Sequence, residues 1–516
     1  MSLNPWNMKK RFTHKALLLL ILCLFALEKE GFSQLLINAQ LRTRTEFRDG
    51  QGTLPLPHQT PSIFTSQRTR LNIGYGMDKL RLFTSIQDIR VWGQDASTIS
   101  NIDGNKLFLH EAWGEIVFND TTLFKSFKNV SLKLGRQELV YDDERLLGSL
   151  NWLQQGRRHD AAVLKFAKGT WSADIGGAFN QQRELKNTGN IYYGVPGTQI
   201  ATDSTNVAAP AGTNFIGTMY KSMQFLYVSK EIGFSKATFL LFKDDFQKPI
   251  AGGKFAKGTY SRVTVGANIF GTLMRKHKID GSFFYQGNKD KLGNKMDAYM
   301  ASLSTLFAID RKLSLGLGGD YLSGNNTTKS GEVNRRFDPL YGTPHKFWGY
   351  MDYFYVADAY GVQGNVTRNP GLIDLYLKSR YKLKDNLLLS LDIHEFYAGN
   401  KVADETTPGQ TLDTRLGTEF DFIINYNFTK QIGIEAGYSL MLGTNTLDRL
   451  KRGGNQGAIA ATANAPYINK RNNGNWAYLM ITIRPDLLGQ INDKLASLVK
   501  SVDGLRKDVD TLNQPK

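Results

Sequence analysis

Cysteine is almost missing from this 516-residue chain, and the single one, Cys23, lies inside the apolar run Ala16 to Leu27. Beyond that run no thiol remains, which excludes disulfides, thiolate metal sites and cysteine nucleophiles there. Proline is scarce at 14, and after residue 33 no apolar run approaches the ~18 residues of a membrane helix. The six histidines after residue 33 are His58, His110, His159, His277, His345 and His394, and none forms an H-x-x-x-H pair. No G-x-S-x-G or phosphate-loop spacing occurs either, so the sequence leads us to expect no metal, no cofactor and no catalytic residue.

What is present begins with a leader. Lys9, Lys10, Arg11 and Lys15 precede the apolar run, and Gly31-Phe32-Ser33 offers small-x-small, so residues 1–33 are predicted to be a secretory signal cleaved after Ser33. Leu22 is bulky where a lipid attachment signal needs a small residue, so Cys23 is not read as a lipidation site. Losing five basic and two acidic residues with the leader lowers the formal charge from +17 to +14. The remaining Lys and Arg are spread over many segments without a basic tail or module, so no nucleic-acid partner is expected.

After the leader, segments of roughly ten residues alternate in polarity. In Leu35 to Arg48, one face carries Leu35, Ile37, Ala39, Leu41 and Phe47, and the other carries Asn38, Gln40, Arg42, Arg44, Glu46 and Arg48. Val263, Val265, Ala267 and Ile269 alternate with polar residues in the same way, as do Ile373, Leu375 and Leu377, and Ala477, Leu479, Ile481 and Ile483. A strand displays its two faces with period 2, so these segments separate an oily surface from a polar one, the pattern of a transmembrane barrel. Eight short and nine long connections alternate between them, the long ones including 181–220, 243–260, 286–296 and 324–371. The fold class expected is all-β: an antiparallel up-and-down transmembrane β-barrel of about eighteen strands over residues 34–484, with sixteen the nearest alternative. An even number puts both termini on one side, the periplasmic side of a bacterial outer membrane.

Residues 485–516 change character. Leu488, Ile491, Leu495, Leu498, Val502, Leu505, Val509 and Leu512 follow a 3-4 spacing, predicting a periplasmic helical tail. Either 488–512 self-associates as a coiled coil or binds a periplasmic partner, or one helix lies on the barrel rim.

Register then follows from solvation. Placing Arg42 and Arg44 in hydrocarbon would cost about 2–4 kcal/mol each near the midplane, so the arginine face must line the lumen and the aliphatic face must meet lipid. Arg42, Arg44, Arg68, Arg70, Lys133, Arg262, Lys378, Arg380 and Arg415 are predicted to project inward, with Glu46, Glu111, Glu419, Asp421 and Glu435 among them. Two readings stay open for any single arginine, a brace between neighbouring carboxylates or a contribution to an anion-attracting field. Eighteen strands also leave more room than side chains fill, so the lumen is expected to hold water.

Two stretches go further. Leu134 to Asp160 reads LGRQELVYDDERLLGSLNWLQQGRRHD, and GGDYLSG at 318–324 is followed by RFDPLYGTPHKFWGYMDYF at 336–354. Both resemble the alginate-export family of outer-membrane porins. The resemblance implies an eighteen-stranded passive channel whose arginine-rich constriction passes an anionic polysaccharide, and it adds Arg136, Arg145, Arg158 and Asp160 to the pathway residues. Simple alternation aims Arg136 outward with Leu134, so a bulge or the strand's end would have to turn it inward. Rival functions are a general anion or small-solute porin, and a barrel enzyme or adhesin.

Overall fold

The computed structural model describes residues 34–485 apart from 56–58, 94–106, 119–126, 128, 181–219, 251–253, 275, 330–332, 355–368, 405–406 and 457–472, together with Leu487 and Ser501. The predicted leader 1–33, the connection 181–219 and nearly all of the predicted helical tail lie outside the described residues.

The first nine long strands are β1 Gln34–Asp49, β2 Ser62–Gly76, β3 Leu80–Val91, β4 Leu107–Val117, β5 Asn129–Gln137, β6 His159–Lys168, β7 Trp171–Phe179, β8 Ser222–Ile232 and β9 Ser235–Ile250. The second nine are β10 Lys254–Leu273, β11 His277–Lys289, β12 Lys295–Ala308, β13 Leu313–Leu322, β14 Leu372–Lys384, β15 Leu387–Ala398, β16 Arg415–Asn427, β17 Ile432–Gly443 and β18 Asn473–Ile483. Each pairs antiparallel with its sequence neighbours, and β18 returns to β1 from Leu41 opposite Ile483 to Asp49 opposite Asn475. The sheet therefore closes into an eighteen-stranded barrel, as the alternation predicted. Closure leaves no unpaired edge within a membrane, where an unbonded peptide group is costly.

The two faces separate as expected. Arg42, Arg44 and Glu46 are buried on the inner side of β1, while aliphatic side chains such as Ile73, Leu303, Leu317 and Leu377 stand exposed on the outer wall. That wall is the lipid surface. Leu377, near the middle of β14, gives a direct check: arginine there should lower barrel stability by about 2–4 kcal/mol, read from the denaturant midpoint in lipid.

Two of the nine connections expected to be long are short. β9 and β10 run 16 and 20 residues and leave only 251–253 between them, and β11 and β12 are joined by 290–294. Their polar ends, Asp244, Asp245 and Gln247 among them, continue the ladder past the apolar belt, since strand pairing outside lipid needs no oily face.

The lumen is not open throughout. Residues 138–158 touch β1 through Gln154, β3 through Gln155, β7 through Tyr141, β8 and β10 through Asp142, and β13 through Arg145. Only a segment inside the cylinder reaches walls on all sides. Residues 333–354 enter beside it: Asp338 meets β11, Tyr341 β9, Trp348 β13 and Met351 β16. The two segments pair as well, with Gly148 donating to the Tyr341 carbonyl and Tyr341 to that of Leu146. Leu147, Trp348, Met351, Tyr353 and Phe354 bury together inside. Helix α1, Asn445–Gln456, covers them with Leu447 and Leu450, and its Lys451 donates to the Tyr353 carbonyl. The expectation of a water-filled lumen is thus corrected at this level, where protein occupies it. Side-chain volume bears on the barrel's width alone; it is residues 138–158 and 333–354 of the long connections that enter.

Candidate substrate channel

The inner face of β1 and β2 concentrates positive charge. Their register sets Arg42 opposite Arg68 and Gln40 opposite Arg70. Like charges directly opposed across a ladder repel, so this pairing needs a compensating partner. It comes from the first inward segment. Arg42 donates Nε and Nη2 to Gln154 Oε1 at 3.0 and 2.8 Å, and Nη1 to the Asn151 carbonyl at 2.8 Å. Arg68 donates Nε to Gln40 Oε1 at 3.1 Å and Nη1 to the Gln154 carbonyl at 3.4 Å. Every one of these acceptors is neutral, and among the described residues neither arginine has a carboxylate at ion-pair distance. Arg44 differs: Nε pairs with Glu46 at 2.8 Å, Nη1 bonds the Trp152 carbonyl, and the guanidinium lies 4.1 Å over the Trp152 ring. Arg70 donates to Gln87 and meets His110 Nε2 at 3.0 Å, with Glu138 at 3.8 Å. Burial lifts the Glu138 carboxyl above the usual range, against the pull of Arg70 and Arg68.

An acidic stretch of wall lies at β13 and β16, six and three strands from β1 around the ring. Asp320 of β13 and Glu419 and Asp421 of β16 are fully buried. They accept from donors of the inward segments: Trp348 Nε1 to Asp320 at 2.8 Å, Met351 N to Glu419 at 2.7 Å and Tyr350 N to Asp421 at 3.4 Å. The basic wall therefore holds backbone carbonyls and the acidic wall holds N–H groups, so the inserted chain lies in a transverse field.

The other predicted residues divide. Arg145, in the first inward segment, pairs with Asp320 and Asp143 and stacks 4.0 Å over Phe347. Burial works against its charge, but the two aspartates outweigh it and hold the guanidinium pKa above its ordinary value. Arg262 is clamped by Asp244 and Asp338, and Arg380 by Asp392. Both face inward, as does Lys133, whose ammonium lies 3.8 Å over the Trp113 ring. Arg158 lies over Phe108 at 4.7 Å.

Three sites need correction. Arg136 and Asp160 form a two-bond pair at 2.8 and 2.9 Å on the face of Leu134, pointing away from the lumen. No register shift turns them, and the neighbouring Gln137 and His159 take the inner side. Arg415 also faces outward, where it grips Glu395 at 2.6 Å. Its expected inward phase is broken by a bulge: Gly417 pairs with Phe396 and Arg415 with Tyr397, leaving Leu416 extra. Gly417 sits at φ +150°, which favours glycine at that kink.

Sequence reading missed Gln154 and Asp320 as partners. Nothing local marks them, because their significance lies in what crosses the lumen to meet them. Donor atoms of His110, Glu111 and Glu138 lie within 4.8 Å of one another. The Arg70 guanidinium against His110 Nε2 repels a cation there, so the group suits hydrogen bonding better than metal binding.

Against this geometry, relatives can be compared. Residues 33–178 match the model of the alginate-export family. That span holds β1 to β7, the basic wall and the first inward segment, and it bears out the family resemblance over those residues. Nothing among curated proteins matches the chain. Solved structures share its fold at low identity. OccAB1 of Acinetobacter baumannii is 11% identical with TM-score 0.54, covering 89% of this chain and 99% of its own. OpdO of Pseudomonas aeruginosa is 12% identical with TM-score 0.53, covering 88% and 98%. A BenF-like porin from Pseudomonas fluorescens Pf-5 is 10% identical with TM-score 0.50, covering 88% and 99%. These likenesses show a shared barrel fold, and the family match covers residues 33–178.

Proposed function

We propose that this barrel is a passive channel for an anionic polysaccharide of the polyuronate class. The observation that carries this reading is the Arg42–Arg68 pair, two inward guanidinium groups that hold only neutral acceptors. Their field is uncancelled locally, unlike that of Arg262 or Arg380, and it attracts anions as rings of basic residues do in anion pores. Guanidinium also takes carboxylates two bonds at a time, and several sites of modest strength in series let a polymer move without being trapped. The family match over this wall supports the same substrate class. We further infer that residues 1–33 are a cleaved leader, that both mature termini face the periplasm, and that 488–512 is the surface for self-association or a periplasmic partner.

Reconstitution in planar bilayers tests the reading. Anion selectivity is expected, together with block by added oligouronate and none by a neutral oligosaccharide of equal length. Cation preference without block would overturn it; anion preference without block would favour a general small-solute porin.

A further inference from the structure

The Arg42–Arg68 pair is occupied by the protein itself. Oε1 of Gln154 takes Nε and Nη2 of Arg42, the two donors an arginine offers to a carboxylate, while Gln154 Nε2 turns to Ser66 Oγ at 2.9 Å. The carbonyls of Asn151, Trp152, Leu153 and Gln154 complete the acceptor set. The halves of this inward segment are tied unequally. Asp142 accepts from Tyr227, Thr238 and Asn268, and Arg145 is ion-paired with Asp320, so the near half is fastened by charge. Residues 151–155 meet the barrel wall through neutral acceptors and through the Trp152 ring, which lies under Arg44 and edge-on to Trp476 and Tyr478, and Gly156 follows at φ +65°.

We propose that residues 151–155 are a displaceable strap seated in a carboxylate site formed by Arg42 and Arg68. An arriving uronate carboxylate takes the place of the Gln154 amide and the strap leaves the wall, pivoting on the fixed half at 142–147. Exchange is favourable because a carboxylate adds full ion pairing to bonds that the guanidinium already charge-assists, and because a negative charge relieves the repulsion between the opposed arginines. This rests on the channel reading above and adds its regulation: the substrate opens its own path.

The half-blocking concentration of an oligouronate in planar bilayers is the readout. Gln154→Ala removes the occupant and should lower it about tenfold. Gln154→Glu supplies a built-in carboxylate and should raise it about tenfold. In a Cys23→Ser background, Ser66→Cys with Gln154→Cys places two thiols where the side chains now meet. Oxidation should lock the strap and abolish block, and a reductant should restore it. A wild-type channel that is blocked, while the two Gln154 variants stay within twofold of it or shift in the same direction, overturns the strap. So does block of the oxidised pair equal to that of the reduced pair. A wild-type channel that prefers cations and is not blocked instead overturns the substrate reading itself.

Discussion

Replacing Arg42 and Arg68 together by glutamine is expected to cut the anion-over-cation permeability ratio of the reconstituted barrel about tenfold or more. At an effective dielectric of about 20, a unit charge about 8 Å from a passing ion contributes roughly 2 kcal/mol, and two such charges remain worth more than tenfold after partial screening by salt. Other inward arginines contribute less, since Asp244 and Asp338 neutralise Arg262 and Asp392 neutralises Arg380. Glutamine keeps polar atoms at both positions, so the lumen stays hydrogen-bonded. Arg136→Gln is the matched control: its charge is held by Asp160 on the outer wall, and its removal should leave the ratio unchanged. Equal selectivity in the double variant and the wild type would show that the basic wall only braces the strap.

A second large effect is expected at Asp320. This buried carboxylate fastens both inward segments, taking Arg145 from the first and Trp348 Nε1 from the second, with Ser302 Oγ donating at 2.6 Å. Asp320→Ala leaves the buried Arg145 with Asp143 alone, a loss of about 3–5 kcal/mol for a broken buried ion pair. The ladder that closes the barrel does not pass through this residue's side chain, so the damage should stay local. Limited proteolysis should then cut within 138–158 or 333–354, and mean conductance should rise as protein vacates the lumen. Asp320→Asn, which retains hydrogen-bonding atoms but not the charge, should fall between. Unchanged protection and conductance would mean that the surrounding packing of Trp348, Met351 and Tyr353 holds the segments without it.

The strands were legible because their pattern has one physical cause, repeated eighteen times. A residue facing hydrocarbon and its neighbour facing the lumen meet opposite solvents, and composition records that difference directly, as Leu375 and Leu377 against Asp374 and Tyr376 do. Arg415 escaped this logic because one inserted residue, Leu416, reverses phase, and a bulge has no polarity signature. The shortness of the connection between β9 and β10 escaped because the polar ends of those strands do not alternate, and beyond lipid alternation no longer decides anything. The inward segments were visible as unusual motifs at 134–160 and 336–354, but their mutual pairing was not.

Taken alone, the chain's residues pointed to a closed lipid-embedded barrel of about eighteen strands and to the face of β1 and β2 that carries the arginines, because burial in hydrocarbon penalises each wrong assignment separately. Which of those charges are cancelled was decided only by the folded barrel. Arg42 and Arg262 look alike along the sequence, yet one meets Gln154 and the other Asp244 and Asp338. The contacts that set a charge's strength span residues more than a hundred positions apart in the first case, and only closure of the cylinder brings them within a hydrogen bond.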